Sequence, residues 1–66
     1  MQKSIIKLPE VIKRTSLSRS SIYLKISKGE FPKQISLSER SIGFIEDEVN
    51  GWIDERIKAS RPSEVQ

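Results

Sequence analysis

Thr15-Ser16-Leu17-Ser18-Arg19-Ser20-Ser21-Ile22-Tyr23-Leu24-Lys25-Ile26-Ser27-Lys28-Gly29 is the stretch on which the fold turns. Its first four residues are turn and cap types, with Leu17 among them available for burial. Ser18 is a strong N-cap candidate, its hydroxyl able to accept from the backbone N–H of Ser20 or Ser21. A helix is expected from about Arg19 to Lys28, and Gly29 suits its C-terminal cap. At 100° per residue, Ile22, Ile26 and Gly29 lie on one side. Arg19, Ser20, Tyr23, Leu24 and Ser27 spread across the other. An ordinary solvent face more often carries Glu and Lys, so this second side reads as a surface that meets something.

Upstream, Leu8-Pro9-Glu10 reads as a helix start, since proline is tolerated at the first helical position and Glu suits the positive end of the dipole. Leu8, Val11 and Ile12 form one apolar stripe at i, i+3, i+4, and this helix ends near Arg14. Two short helices around the turn Thr15–Ser18 make a helix-turn-helix, whose second helix enters the major groove. The alternative is a plain corner between two helices. Residues 1–7 are a lead-in, with Lys3 and Lys7 flanking Ile5-Ile6 as an extended piece.

Downstream, Phe31-Pro32 ends the helical region, and Phe31 is expected to fold back onto the core. Ile35 and Leu37 alternate with Gln34 and Ser36; Ile42 and Phe44 repeat that period. With the polar loop Ser38-Glu39-Arg40-Ser41 between them, these residues predict a β-hairpin with one apolar face. A lone hairpin is marginal in water and must lean on the helices. Arg40 at its tip is a phosphate or minor-groove contact, or an ordinary surface arginine. Val49, Trp52, Ile53, Arg56 and Ile57 then mark the last helix at i, i+3, i+4, i+7, i+8. Asp47 is its expected N-cap, and Trp52 is expected in the core. Gly51, costly inside a helix, suggests close backbone packing. From Ser60 the chain is polar and proline-interrupted, a frayed tail. The domain therefore covers residues 8–59, with the lead-in at 1–7 and the tail at 60–66.

The whole chain has 66 residues, 35% of them hydrophobic, and no cysteine or histidine. Disulfides, thiolate metal sites and structural zinc are thereby excluded, leaving helix packing and a small sheet to hold the fold. Of the three groups that catalysis usually recruits, His, Cys and carboxylates, the first two are missing. The acidic clusters Glu46-Asp47-Glu48 and Asp54-Glu55 read as a solvated helix start and face. No glycine-rich phosphate loop exists, so an enzyme is not expected, nor a cofactor, a metal or a small-molecule ligand. No apolar run exceeds three residues, far short of the ~20 of a membrane span or the 7–15 of a signal peptide. A soluble, cytoplasmic protein with no membrane partner is expected. Its net charge of +3 is divided: residues 1–40 carry nine Lys and Arg against three Glu, a balance of +6. Residues 41–66 carry three Lys and Arg against six Asp and Glu, a balance of −3. A one-sided positive field is the footprint of nucleic-acid binding.

The order and spacing of Leu8-Pro9-Glu10-Val11, Thr15-Ser16-Leu17-Ser18-Arg19-Ser20-Ser21-Ile22-Tyr23 and Gly29-Glu30-Phe31-Pro32 resemble the AlpA family of prophage regulatory proteins. The resemblance continues through Leu37, Arg40, Gly43-Phe44-Ile45, Glu48-Val49 and Trp52-Ile53, covering residues 5–57. It implies a mainly α fold with a small β-hairpin: a MerR-like winged helix-turn-helix of three helices plus a two-stranded wing, shared with small excisionases. By that resemblance Ser18, Arg19, Ser20 and Tyr23 face DNA on the recognition helix and Arg40 is the wing residue. Leu8, Val11, Ile22, Ile26, Phe31, Leu37, Val49 and Trp52 are then core. The chain departs from the family at Ser16, where glycine is usual in a turn suited to left-handed geometry. It departs at Leu24, where arginine is common, so that an apolar contact with a thymine methyl replaces a polar one. Phe44 stands where many members have tryptophan.

The expected function is a sequence-specific double-stranded-DNA-binding transcriptional regulator of a bacterial prophage or genomic island, acting on integrase or excision genes and associated with the nucleoid. Ser18, Arg19, Ser20, Tyr23, Leu24, Ser27 and Arg40 are its candidate contacts. Two alternatives are an excisionase-like directionality factor that bends attachment-site DNA, and a protein-interaction module or antirepressor whose Arg/Ser/Tyr face meets an acidic partner. With no room for a separate dimerisation domain, a weakly associating monomer that lines up cooperatively on repeated DNA sites is expected.

Overall fold

The computed structural model describes residues 3–61, in the order β1 (Ile5–Ile6), α1 (Leu8–Thr15), α2 (Arg19–Ser27), β2 (Ile35–Ser38), β3 (Ser41–Ile45) and α3 (Glu46–Ser60). The three helices and the hairpin are as the pattern predicts. The sheet has three strands rather than two, in the antiparallel order β1-β3-β2. The lead-in contributes the extra strand: Ile5 pairs with Ile45 and Ile6 with Phe44. The Glu46 N–H also donates to the Ser4 carbonyl at 2.8 Å, extending the pairing into the first turn of α3. The expected tail falls mostly outside the described residues; α3 itself reaches Ser60.

Leu8, Val11, Ile22, Phe31, Phe44 and Val49 form the buried core. Ile6, Ile12, Leu17, Ile26, Ile42, Trp52 and Ile53 pack against it, half-buried. Every element thus supplies something to one small apolar centre except β2, whose residues are half-buried or exposed. That exception corrects the expectation of a hairpin with a single apolar face. Directly opposed residues of an antiparallel pair project to the same side. Ile6, Phe44, Ile42 and Ser36 therefore share the core side, through the pairs Ile6–Phe44 and Ser36–Ile42. Ile5, Ile45, Ile35 and Gly43 share the other. The register slips between Ser36 and Ser38, so that Leu37 is an extra residue in β2. Leu37 is consequently no core residue: it is 44% exposed and lies over Gly43. A Cβ added at Gly43 would collide with Ile5 and sit 3.0 Å from Leu37 Cδ1, which is why glycine occupies that position. The loop is also tighter than the sequence suggests, because Ser38 pairs with Ser41 and only Glu39-Arg40 form the turn.

Three expectations for α3 are corrected. Its N-cap is Ile45, with no side-chain cap, because the start is already held by the strand before it and by the bond to Ser4. Asp47 instead lies in the acidic first turn with Glu46 and Glu48. Gly51 serves no close packing, since a Cβ there would find nothing within 4 Å. Arg56 and Ile57 extend the apolar spacing past the end of the core and are exposed.

Candidate nucleic-acid interface

The turn between α1 and α2 is set by local geometry. The Ser16 N–H donates to the Ile12 carbonyl at 2.8 Å and the residue takes φ 62°, the left-handed region. This is the left-handed geometry expected at this turn position, held here by a serine at a cost in strain. Thr15 Oγ1 donates to the Val11 carbonyl and accepts from the Leu17 N–H, closing α1 and aiming Leu17 at the core. Ser18 then caps α2: its Oγ accepts from the Ser21 N–H at 3.1 Å and donates to Ser21 Oγ at 3.0 Å. Of the two expected acceptances, that from Ser21 is the one formed.

The far end of α2 is equally defined. Lys28 is the C-cap and Gly29 follows at φ 73°. The Gly29 N–H donates to the Ile26 carbonyl at 3.0 Å and the Glu30 N–H to the Lys25 carbonyl at 2.8 Å, a Schellman ending. Ile22 is buried and Ile26 half-buried, so the rotation of α2 about its axis is set from inside. Trp52 steadies the next segment, meeting Phe31 edge-on at 4.8 Å between ring centroids, while Phe31 meets Phe44 at 6.2 Å. A helix gripped at both ends and along one side presents its outer side as a rigid surface.

Arg19, Ser20, Tyr23, Leu24 and Ser27 all lie on that exposed outer side. Leu24 is 55% exposed, a large apolar surface in water with no neighbour to cover it. Arg19 makes no hydrogen bond or ion pair with the described residues, so its guanidinium is free for an external acceptor. Ser27 differs: its hydroxyl donates to the Leu24 carbonyl at 2.7 Å and keeps only acceptor capacity outward. Ser18 likewise spends its hydroxyl on the cap. Of the seven candidates, then, Arg19, Ser20, Tyr23 and Leu24 form one patch with uncommitted side chains. Arg40 stands on a separate element, exposed at the hairpin turn beside Glu39.

The electrostatics of α2 agree with an anionic partner. Its first turn has no acid, unlike those of α1 and α3; Arg19 opens the helix and Lys25 lies in its last turn. The positive helix end is therefore not neutralised from inside the chain. Lys28 adds an exposed cation at the other end. The spacing argument passed over it because its angle falls between the two sides.

The sequence also concealed how α1 and α3 are joined. Arg14 Nε donates to Glu10 Oε2 at 2.8 Å, its Nη2 meets Glu46 Oε2 at 3.0 Å, and its Nη1 donates to Asn50 Oδ1 at 3.2 Å. The hydrogen bond from Arg14 holds the Glu10 carboxyl below its ordinary range, with partial burial opposing it, and Glu10 and Glu46 raise the Arg14 guanidinium in turn. One of the basic half's cations is thus occupied in bracing the fold. Among the described residues no group of His, Cys, Asp and Glu is placed to hold a metal ion, and no helix is long and apolar enough to cross a membrane.

Comparison with known proteins places the chain in a family. The sequence profile of the family described as "Prophage CP4-57 regulatory protein (AlpA)" matches residues 4–57. Uncharacterized protein ORF88 of Enterobacteria phage P4 is 43% identical over 56 residues, which cover 85% of this chain but only 64% of that protein. The chain therefore spans less than two thirds of that relative. The DNA-binding transcriptional activator AlpA of Escherichia coli (strain K12) is 35% identical over 60 residues, covering 82% of this chain and 86% of the relative.

Proposed function

We propose that this chain, which belongs to the AlpA family of prophage regulatory proteins, is a sequence-specific double-stranded-DNA-binding regulator of transcription in a bacterial prophage or genomic island. The observation that carries the reading is the outer side of α2. It is capped at both ends, free of acid, and lined by Arg19, Ser20, Tyr23 and Leu24 with their side chains uncommitted. Nine residues of α-helix are about 13 Å long, and a helix of that size fits the major groove. There Arg19 offers its guanidinium to a guanine edge, Leu24 offers methyl groups to a thymine methyl, and Ser20 and Tyr23 supply hydroxyls for bases or phosphate. Arg40 on the wing reaches phosphate or the adjacent minor groove. The protein works in the cytoplasm, on the nucleoid, and its target genes are those of integration or excision.

Mobility-shift titration and footprinting test this, using the duplexes upstream of the protein's own gene and of any integrase gene found beside it. The expected result is a protected site that resists excess unrelated DNA. Failure to shift any duplex at low salt would move the chain to the class of protein-interaction modules.

A further inference from the structure

We infer that Arg14 is a positioning residue for DNA binding: it fixes the separation of α2 and the hairpin turn, so that Arg19 and Arg40 meet one duplex at the same time. The inference rests on the DNA reading above and adds to it a residue that touches no DNA. α1, the turn and α2 form one unit, locked by the Ser16 N–H on the Ile12 carbonyl and by the Ser18 cap. β3 runs into α3 with no residue between them, which makes the hairpin and α3 a second unit. Arg14 lies in the last turn of α1, five residues before Arg19. Glu46 opens α3, six residues after Arg40. The guanidinium spans the seam between the two units, with Nη2 3.0 Å from Glu46 Oε2 and Nη1 donating to Asn50 Oδ1 at 3.2 Å. Its Nε donates to Glu10 Oε2 at 2.8 Å, on Arg14's own helix, which aims the fork at α3.

Stability alone does not account for this arrangement. Partly exposed ion pairs contribute little, and the side chains of Arg14 and Glu46 remain 27% and 31% open to solvent. A planar guanidinium on three acceptors contributes direction instead, which a lysine would not. At its exit α2 is already placed by packing, since Phe31 lies against Trp52. At its entry the polar link to α3 runs through Arg14. Direction matters because the second contact of a two-point binder is intramolecular, and its gain is lost when the spacing does not match. A protein without the bridge still lays α2 in the major groove, but its hairpin turn no longer falls on the backbone in the same pose.

Two substitutions of opposite charge test this on the cognate duplex, well below each variant's melting midpoint. Arg14→Gln removes a cation and Glu46→Ala removes an anion. By long-range attraction alone the first would weaken binding and the second would tighten it. Loss of position makes both weaken it. Each should bind about tenfold more weakly at about 0.1 M salt and show a salt slope lower by about 1, as expected for a lost phosphate contact. Adding Arg40→Ala to either should then change nothing further, the non-additivity of residues that act in one step. The two variants cut one bridge from opposite ends, so if one fails to fold the other carries the test. Tighter binding by Glu46→Ala would overturn the inference. So would an Arg40→Ala effect as large in either variant as in the wild type; for Arg14→Gln, that result would put Arg14 itself on phosphate. Both outcomes leave the DNA reading standing. A wild type indifferent to Arg40→Ala removes the wing contact and the inference with it, and a wild type that shifts no duplex fails the DNA reading and the inference together.

Discussion

The indole N–H of Trp52 donates to the carbonyl oxygen of Glu30 at 2.8 Å, across 22 residues of sequence. Glu30 is the residue whose N–H completes the Schellman ending of α2, so this one bond ties α3 to the exit of α2. Trp52 thus acts on the exposed side of α2 from behind, through position. Trp52→Phe keeps an aromatic ring near Phe31 and removes the donor. It should cost about 0.5–1.5 kcal/mol of stability, a fall in midpoint of several degrees in a domain this small. DNA affinity measured well below the midpoint should change little. A variant of unchanged midpoint that had lost DNA binding would show that Trp52 touches DNA itself.

Arg19 is exposed and without a partner inside the described residues, so replacing it cannot disturb the core. Arg19→Ala should leave thermal unfolding nearly unchanged and reduce discrimination for the cognate duplex by about 1–3 kcal/mol, the value of a bidentate arginine–guanine pair. Competition binding with cognate and scrambled duplexes separates the two roles. Equal loss on both would assign Arg19 to phosphate.

Ser16 pays for its turn with left-handed backbone at φ 62°. Glycine adopts that geometry without the Cβ clash but loses more freedom on folding. The first effect is the larger, so Ser16→Gly should raise stability by about 0.5–1 kcal/mol, which chemical denaturation can resolve. A destabilised Ser16→Gly protein would mean that the serine contributes something beyond its backbone.

The Glu10–Arg14–Glu46 cluster sets the response to acid. A carboxylate with a lowered folded-state pKa stabilises the fold fully above its unfolded value, and that contribution fades as pH falls through the lowered one. Glu10 is such a group. With no histidine or cysteine, no side chain of ordinary pKa titrates between about pH 5 and 8. Stability should therefore be flat across neutrality and decline only below the ordinary carboxylate range. Glu10→Gln should flatten part of that decline and narrow its gap to the wild type as the solution is acidified. The pair is partly open to solvent, so raised salt should shrink the effect. Melting curves across pH at two salt concentrations measure both.

On the wing, Arg40 and Glu39 form the turn itself and project from the sheet. If Arg40 meets a phosphate, Arg40→Ala should lower the slope of log affinity against log salt by about 1 and alter sequence preference little. Glu39→Gln should tighten binding slightly by removing a repulsion. A salt titration on one cognate duplex gives both values. An unchanged slope for Arg40→Ala would leave the hairpin only the role of covering the core.

Local features were legible in the chain because they are decided within a few residues. Ser18 caps α2 because its hydroxyl reaches a backbone N–H three residues away, and Gly29 ends it because a left-handed residue is needed at that point. Leu8, Val11 and Ile22 declared themselves by helical period. The exposed side of α2 followed from the same angles, so most of the candidate interface was readable in advance. The tertiary structure decided what depends on segments far apart in sequence. Ile5-Ile6 became a strand only because β3 lay beside it, and no local preference of two residues announces a partner forty positions away. Period-2 alternation placed Leu37 inside; one extra residue in β2 turned it outward, because a strand's faces exchange with every single-residue step. Asp47 has the chemistry of a cap, yet the preceding strand already held that end of α3. Arg14, one of nine cations in the basic half, became a brace because folding carried Glu46 and Asn50 to it. Hydrogen-bond geometry and backbone preference act over a turn or two, and the sequence alone suffices for them. Strand register, burial and charge pairing are settled by which surfaces the folded chain brings together.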